Sequence, residues 1–332
     1  MVKRCALEQL TTDDGPLTTR VTTHFLAIEI GGTKLQIFLG DESATILHRW
    51  RFDVDRTRGG AGIRAQIETA LPAILNAQDV EAVGVGFGGP VDWRTGQICC
   101  SHQIQGWSEF QLGDWLRERT GKPIAIDNDA NVGALGEALR GAGQRSNPVV
   151  FLTLGSGLGG GLVADGKIYH GAKPGESEVG HLRLDKSGVT VEQRCSGWAV
   201  DAKIREAVKQ APQSALAKAV ANLTHGEARA LAPALQRECP AAAQILRETA
   251  TDLAFALSHV THLFHPEVIV LGGGLSLVGE PLRAAVEIAL RPFVMEAFAP
   301  GPRIAISSLG EDAIPVGALL LAIGARTSLS AS

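Results

Sequence analysis

The stretch Phe25-Leu-Ala-Ile-Glu-Ile-Gly-Gly-Thr-Lys-Leu-Gln-Ile-Phe-Leu39 decides the fold: two apolar β-runs joined by a turn rich in glycine. Strands of this kind, closed by residues that permit unusual backbone angles, read as a β-hairpin. The pattern returns as Val149-Val-Phe-Leu-Thr-Leu, a turn holding Gly155, Gly157, Gly159, Gly160 and Gly161, and an apolar run through Leu162. Each half of the chain therefore opens with a hairpin whose turn lets backbone N–H groups approach an anion.

Between and after the hairpins, apolar periodicity predicts helices over 62–77, 113–119, 132–139 and 279–291, strands over 81–87, 123–126 and 267–272, and an apolar last helix from Gly317. Asp165-Gly166 between apolar runs is a hairpin-turn signal. Alternating strands and helices imply α/β layers. Residues 1–23 show no periodicity and read as a disordered leader.

Composition narrows the function. The chain has 332 residues, 45% of them hydrophobic, with 31 Lys plus Arg against 35 Asp plus Glu, a formal charge of −4. That balance favours neither nucleic acid nor an anionic membrane as partner. No apolar run approaches the roughly 18 residues of a membrane span, and the start carries no signal-peptide core, so a cytoplasmic protein is expected. Five cysteines without Cys-x-x-Cys spacing argue against disulfides and a thiolate zinc site.

Glycine patterns at Gly84, Gly86, Gly89 and at Gly155, Gly157, Gly160 match a dinucleotide-binding turn, but neither opens a helix, so the NAD reading loses its context. No glycine run leads to a P-loop Lys-Ser or Lys-Thr. Asp127-Asn-Asp-Ala-Asn131 begins like an EF-hand, yet Val132 and Ala138 stand where glycine and glutamate are needed. The same cluster before a helix suits N-capping, and it also suits a general base for phosphoryl transfer.

Six motifs in order, Glu29-Ile-Gly-Gly-Thr-Lys34, Gly88-Gly-Pro-Val-Asp92, Asp127-Asn-Asp-Ala-Asn131, Thr153-Leu-Gly-Ser-Gly157, Glu178-Val-Gly-His181 and Val268-Ile-Val-Leu-Gly-Gly-Gly274, resemble the ROK family (repressors, open reading frames and kinases) from about residue 25 onward. The resemblance implies a two-domain actin-like ATPase (ribonuclease H-like) α/β fold. Residues 24–141 with 312–330 would form one domain and 142–311 the other, with ATP and sugar in the cleft between them. It implies a homodimer, and phosphorylation of the 6-hydroxyl of a glucose-like hexose or an N-acetylhexosamine. A sugar-sensing regulator is the alternative.

By the same resemblance Asp129 is the catalytic base, and Gly88, Gly89, Asn128, Glu178, His181 and Glu192 bind sugar, with Asp127 left to capping. Gly31, Gly32, Thr33, Lys34, Thr153, Gly155, Ser156, Gly157 and Gly272 to Gly274 bind ATP, the two hairpin turns facing each other across its phosphates. Glu29 faces magnesium, directly or through water. The family's histidine usually also ligates zinc, before a loop with Cys-x-Cys-Gly-x-x-Gly-Cys-x-Glu. Here that loop is short, Thr190 stands at the last cysteine's place and Cys195 is the nearest thiol, so no zinc is expected.

Overall fold

The computed structural model describes residues 23–32, 34–101, 104–175, 177–224 and 226–330; the expected leader lies almost wholly outside them, as does Thr33. The first half holds β1 (His24–Ile30), β2 (Lys34–Gly40), β3 (Ile46–Asp53), α1 (Gly59–Ala77), β4 (Val80–Phe87), β5 (Val91–Asp92), β6 (Gln97–Ile98), α2 (Leu112–Thr120), β7 (Ile124–Asn128) and α3 (Asp129–Arg140). The second holds β8 (Val149–Leu154), β9 (Leu158–Ala164), β10 (Lys167–Ile168), α4 (Val191–Cys195), α5 (Gly197–Gln210), α6 (Ala215–Val220), α7 (Leu231–Leu235), α8 (Pro240–Phe264), β11 (Val268–Gly272), α9 (Glu280–Leu290), β12 (Arg303–Ile306) and α10 (Ala313–Ser330).

Two five-stranded sheets share one topology, β3-β2-β1-β4-β7 and β10-β9-β8-β11-β12. In each, an antiparallel hairpin leads into parallel strands, as the two glycine turns predict. The period of two sorts the side chains. Leu26, Ile28 and Ile30 pack with Ile63, Ile67 and Leu71 of α1, while Phe25 and Ala27 pack with Val316, Leu319 and Ala322 of α10. In β8, Val150 and Leu152 join the core of α5, α8 and α9, while Val149 and Phe151 meet Ala134, Leu135 and Ala138 of α3. Helices α3 and α10 thus lie between the sheets. Glu29 and Thr153, at equivalent places on β1 and β8, share the face turned toward that middle layer.

The middle helices approach backbone to backbone. A Cβ on Gly136 would lie 2.3 Å from the Ala313 carbonyl oxygen, a separation only glycine allows. Glu137, fully buried, accepts hydrogen bonds from Ala142 N (2.7 Å), Ser307 Oγ (2.5 Å) and Leu309 N (3.0 Å), so one carboxylate anchors the segment that feeds α10.

Strand β3 has no counterpart in the sequence reading, because the exposed His48, Arg49 and Arg51 of this edge strand dilute its apolar signal. Helix α1 begins three residues before the expected 62, at glycines that carry no helical signature. The Asp165-Gly166 turn closes β9 on β10 with φ of 52° and 72°, the left-handed pair such a hairpin needs.

Candidate functional site

Parallel strands β1, β4 and β7 end side by side, and their C-terminal ends carry Gly31, Gly88 and the Asn128-Asp129 pair. Ligands of α/β sheets collect at such ends. Gly88 N donates to Ile30 O at 2.8 Å, and a side chain on Gly88 would touch Asp129 Oδ2 at 3.4 Å.

Asn128, not Asp127, caps α3: its Oδ1 accepts from Ala130 N (2.9 Å) and Asn131 N (3.4 Å), while its Nδ2 donates to Gly89 O (3.1 Å). The expectation that left capping to Asp127 is corrected, because only the residue flanking the first helical turn has its side chain beside those amides. Asp127 instead accepts from Asn128 N (2.8 Å) and Asn131 Nδ2 (2.9 Å), and meets His170 Nε2 at 2.6 Å. Asn128 keeps one amide hydrogen for a further acceptor.

Asp129 opens α3 with its carboxyl partly buried. Lost hydration first, and then the charge of Glu29, push its pKa up to about 7; the Ala130 amide and Lys34 pull the other way, and Glu178 adds to the rise. A carboxyl poised there exchanges a proton readily at neutral pH.

Glu29 is buried with both oxygens engaged, Oε1 by Lys34 Nζ (3.0 Å) and Oε2 by Gln36 Nε2 (2.9 Å). Lys34 therefore turns to Glu29. Gln36 Oε1 is buried without a hydrogen-bond partner, an oxygen left for water or a cation's hydration shell. Carboxylate and amide oxygens suit magnesium, which binds through one or two protein groups and keeps water and phosphate as its other ligands. Among the described residues no group of three or more His, Cys, Asp or Glu could hold a metal by itself.

The second half supplies the facing side chains. Glu178 and His181 flank a short 3-10 turn, their side chains 50% and 71% exposed and 3.9 Å apart. That turn packs so tightly on β9 that a Cβ on Gly180 would lie 2.1 Å from Leu158 O. Glu192 Oε2 accepts from Leu158 N at 2.8 Å. One oxygen of the expected sugar ligand is therefore tied to the end of the Gly155-Ser156-Gly157 turn, which joins the proposed sugar and phosphate groups through one backbone segment.

That turn is held from two further sides. Gly155 O accepts from Gly197 N at 2.7 Å, and Gly273, at φ 77°, packs where a Cβ would come 2.6 Å from Leu154 N. Gly272 to Gly274, at the end of β11, and Thr153, at the end of β8, thus converge on the same loop. A cavity of about 500 Å³ opens beside the Gly197 contact, lined by Trp198, Asp201, Arg205, Thr224, Gly226 and Glu227. Sequence reasoning missed it; a tryptophan directly after Ser196-Gly197 was the available signal. It also missed Arg56, whose Nε donates to Gly32 O at 2.9 Å.

Side-chain hydrogen bonds close the short loop before Glu192. Asp185 Oδ1 accepts from Ser187 N (2.7 Å), Ser187 Oγ (2.5 Å) and Gly188 N (3.1 Å), and Thr190 caps α4 in a reciprocal box with Gln193. Cys195 is buried, its thiol pushed up to about 12 by burial.

The sequence model of the ROK family matches residues 25–325. A glucokinase of Halalkalibacterium halodurans is 30% identical over 309 residues, 88% of this chain and 93% of the relative, and one of Thermotoga maritima is 30% identical over 302 residues, 88% and 95%. A ROK family glucokinase of Streptomyces griseus, solved with glucose and AMPPNP, superposes with a TM-score of 0.79 at 29% identity, covering 90% of this chain and 99% of that one.

Proposed function

We propose, from the premise that this chain belongs to the ROK family and is a hexokinase-type sugar kinase within it, that it transfers the γ-phosphate of ATP to the 6-hydroxyl of a glucose-like hexose or an N-acetylhexosamine. The observation that carries this reading is Asp129, a carboxyl poised near neutrality at a helix start and at the end of a parallel strand, with Glu178 close enough to feel its charge.

In this reading the sugar lies over Gly88 and Gly89, held by Asn128, Glu178, His181 and the free oxygen of Glu192. Asp129 takes the hydroxyl proton as the sugar oxygen bonds to the γ-phosphorus and the bond to ADP breaks. The N–H of Gly32 and those of the Gly155-Ser156-Gly157 turn, with Arg56, face the phosphates, Lys34 acts from its pair with Glu29, the Gly31 N–H closes the hairpin on Lys34 O, and Thr153 and Gly272 to Gly274 shape the nucleotide loop. The cavity at Trp198 takes the purine, stacked on the indole. Glu29, through water, would hold a magnesium ion, which would supply charge neutralisation at the phosphates. With 24–141 and 312–330 as one domain and 142–311 as the other, sugar contacts come from both, so sugar favours the closed cleft. A cytoplasmic homodimer completes the reading.

An ADP-release assay with ATP and magnesium over a panel of hexoses and N-acetylhexosamines tests it, with Asp129→Asn as the control. Turnover of one class, lost in the control, supports the kinase. Sugar binding without ADP release from any member would overturn it in favour of a sugar sensor.

A further inference from the structure

We infer that His170 is a positioning residue for phosphoryl transfer, reaching from the second sheet to fix Asp127 and, through it, the Asn128-Asp129 pair. This deepens the kinase reading and rests on it.

His170 follows β10, and the chain before it stays paired to β9 through Tyr169 N to Leu162 O at 2.8 Å. From there its Nε2 crosses to Asp127 Oδ2, 2.6 Å away at the end of β7. Asp127 is only 3% exposed, and a carboxylate withdrawn from water to that degree requires full hydrogen bonding. Its other oxygen takes Asn128 N and Asn131 Nδ2, so the carboxylate is held on both sides and the backbone leading into Asp129 is held with it. An Asp127 carboxylate makes the His170 contact only with a proton on Nε2.

The ring is itself fixed. Trp93, from the first half, stacks on the imidazole with centroids 4.2 Å apart and planes at 16°. Nearby, Lys173 Nζ pairs with Asp92 Oδ2 at 2.9 Å, and Asn131 Nδ2 reaches Gly175 O at 3.4 Å. Segment 170–175 is thus tied at three places to the catalytic end of the first sheet, and it runs directly into Glu178. Sugar contacts and catalytic base are held in register by one connection between the halves. Such preorganisation acts on rate, because a small misplacement of a base costs much of its effect.

His170→Phe keeps a ring against Trp93 and removes the donor; His170→Gln keeps a donor. We expect His170→Phe to lower kcat roughly ten- to hundredfold with the KM for ATP within about twofold of the parent, and His170→Gln to recover most of that loss. The Asp127→Asn, His170→Phe double variant should be no slower than the slower single one. Hydrogen exchange reads positioning without turnover: the amides of Ala130 and Asn131 should exchange faster in His170→Phe by a larger factor than amides elsewhere in the chain, whatever the change in melting temperature. Parental kcat in His170→Phe, additive losses, or unchanged exchange at those amides would each overturn the inference. A parent that phosphorylates no sugar would defeat the kinase reading alone, and the exchange measurement would still decide the role of His170.

Discussion

Gly317 of α10 and Val132 of α3 meet so closely that a Cβ on the glycine would lie 1.8 Å from the Val132 carbonyl oxygen. Both helices belong to the layer between the sheets, so neither can retreat without opening a core. Gly317→Ala should destabilise by about 3 kcal/mol, read as a fall in melting temperature. On the same helix a side chain at Gly324 would meet nothing within 4 Å, and Gly324→Ala should stabilise by about 0.5–1 kcal/mol.

The pKa of Asp129 is raised to about 7 in the folded chain against an ordinary carboxyl value of 3.8, so folding takes up a proton between those limits. The folded state is therefore favoured below about pH 4, and that advantage is lost as pH rises through about 7. Asp129→Asn should be inactive and, near pH 8, more stable than the parent by on the order of 2–4 kcal/mol, the difference vanishing in acid. Chemical denaturation of both proteins at several pH values checks the crossover.

The neighbours of Asp129 tune the pH at which it works. Glu29 raises its pKa and Lys34 lowers it. The acid limb of kcat/KM for sugar should move to lower pH in Glu29→Gln and to higher pH in Lys34→Ala, whatever either change does to the maximal rate. Limbs that stay put in both variants would assign the titration to another group.

Because Glu192 binds Leu158 N, its removal loosens the phosphate turn as well as the sugar site. Glu192→Ala should raise the apparent constants for both sugar and ATP, roughly tenfold each. Glu192→Gln keeps an acceptor for Leu158, and should restore the ATP constant while the sugar constant stays high.

The loop closed by Asp185 and Thr190 should need no zinc. Elemental analysis should find less than stoichiometric zinc, and chelators should leave the melting temperature unchanged. Cys195, buried with its thiol at about 12, should resist alkylation until the chain unfolds.

Local patterns reported local structure. The glycine turns at Gly31-Gly32 and 155–157, the apolar strands around them and the Asp165-Gly166 turn were legible because strand period and turn chemistry are written in neighbouring residues. The motif at 127–131 was legible as a candidate base before a helix, and the family resemblance supplied its proposed role. The division of labour within it was not: whether Asn128 or Asp127 caps α3 depends on where one residue's dihedral angles place its side chain. Pairing across distance was equally hidden. Nothing near His170 in the chain points to Asp127, and nothing near Glu192 points to Leu158, since 43 and 34 residues separate these partners. Their meeting follows from two sheets of one topology stacked on α3 and α10. Only that tertiary arrangement sets the hydration and field around Asp129, because burial and the charges of Glu29, Lys34 and Glu178 are properties of a place, not of a residue type.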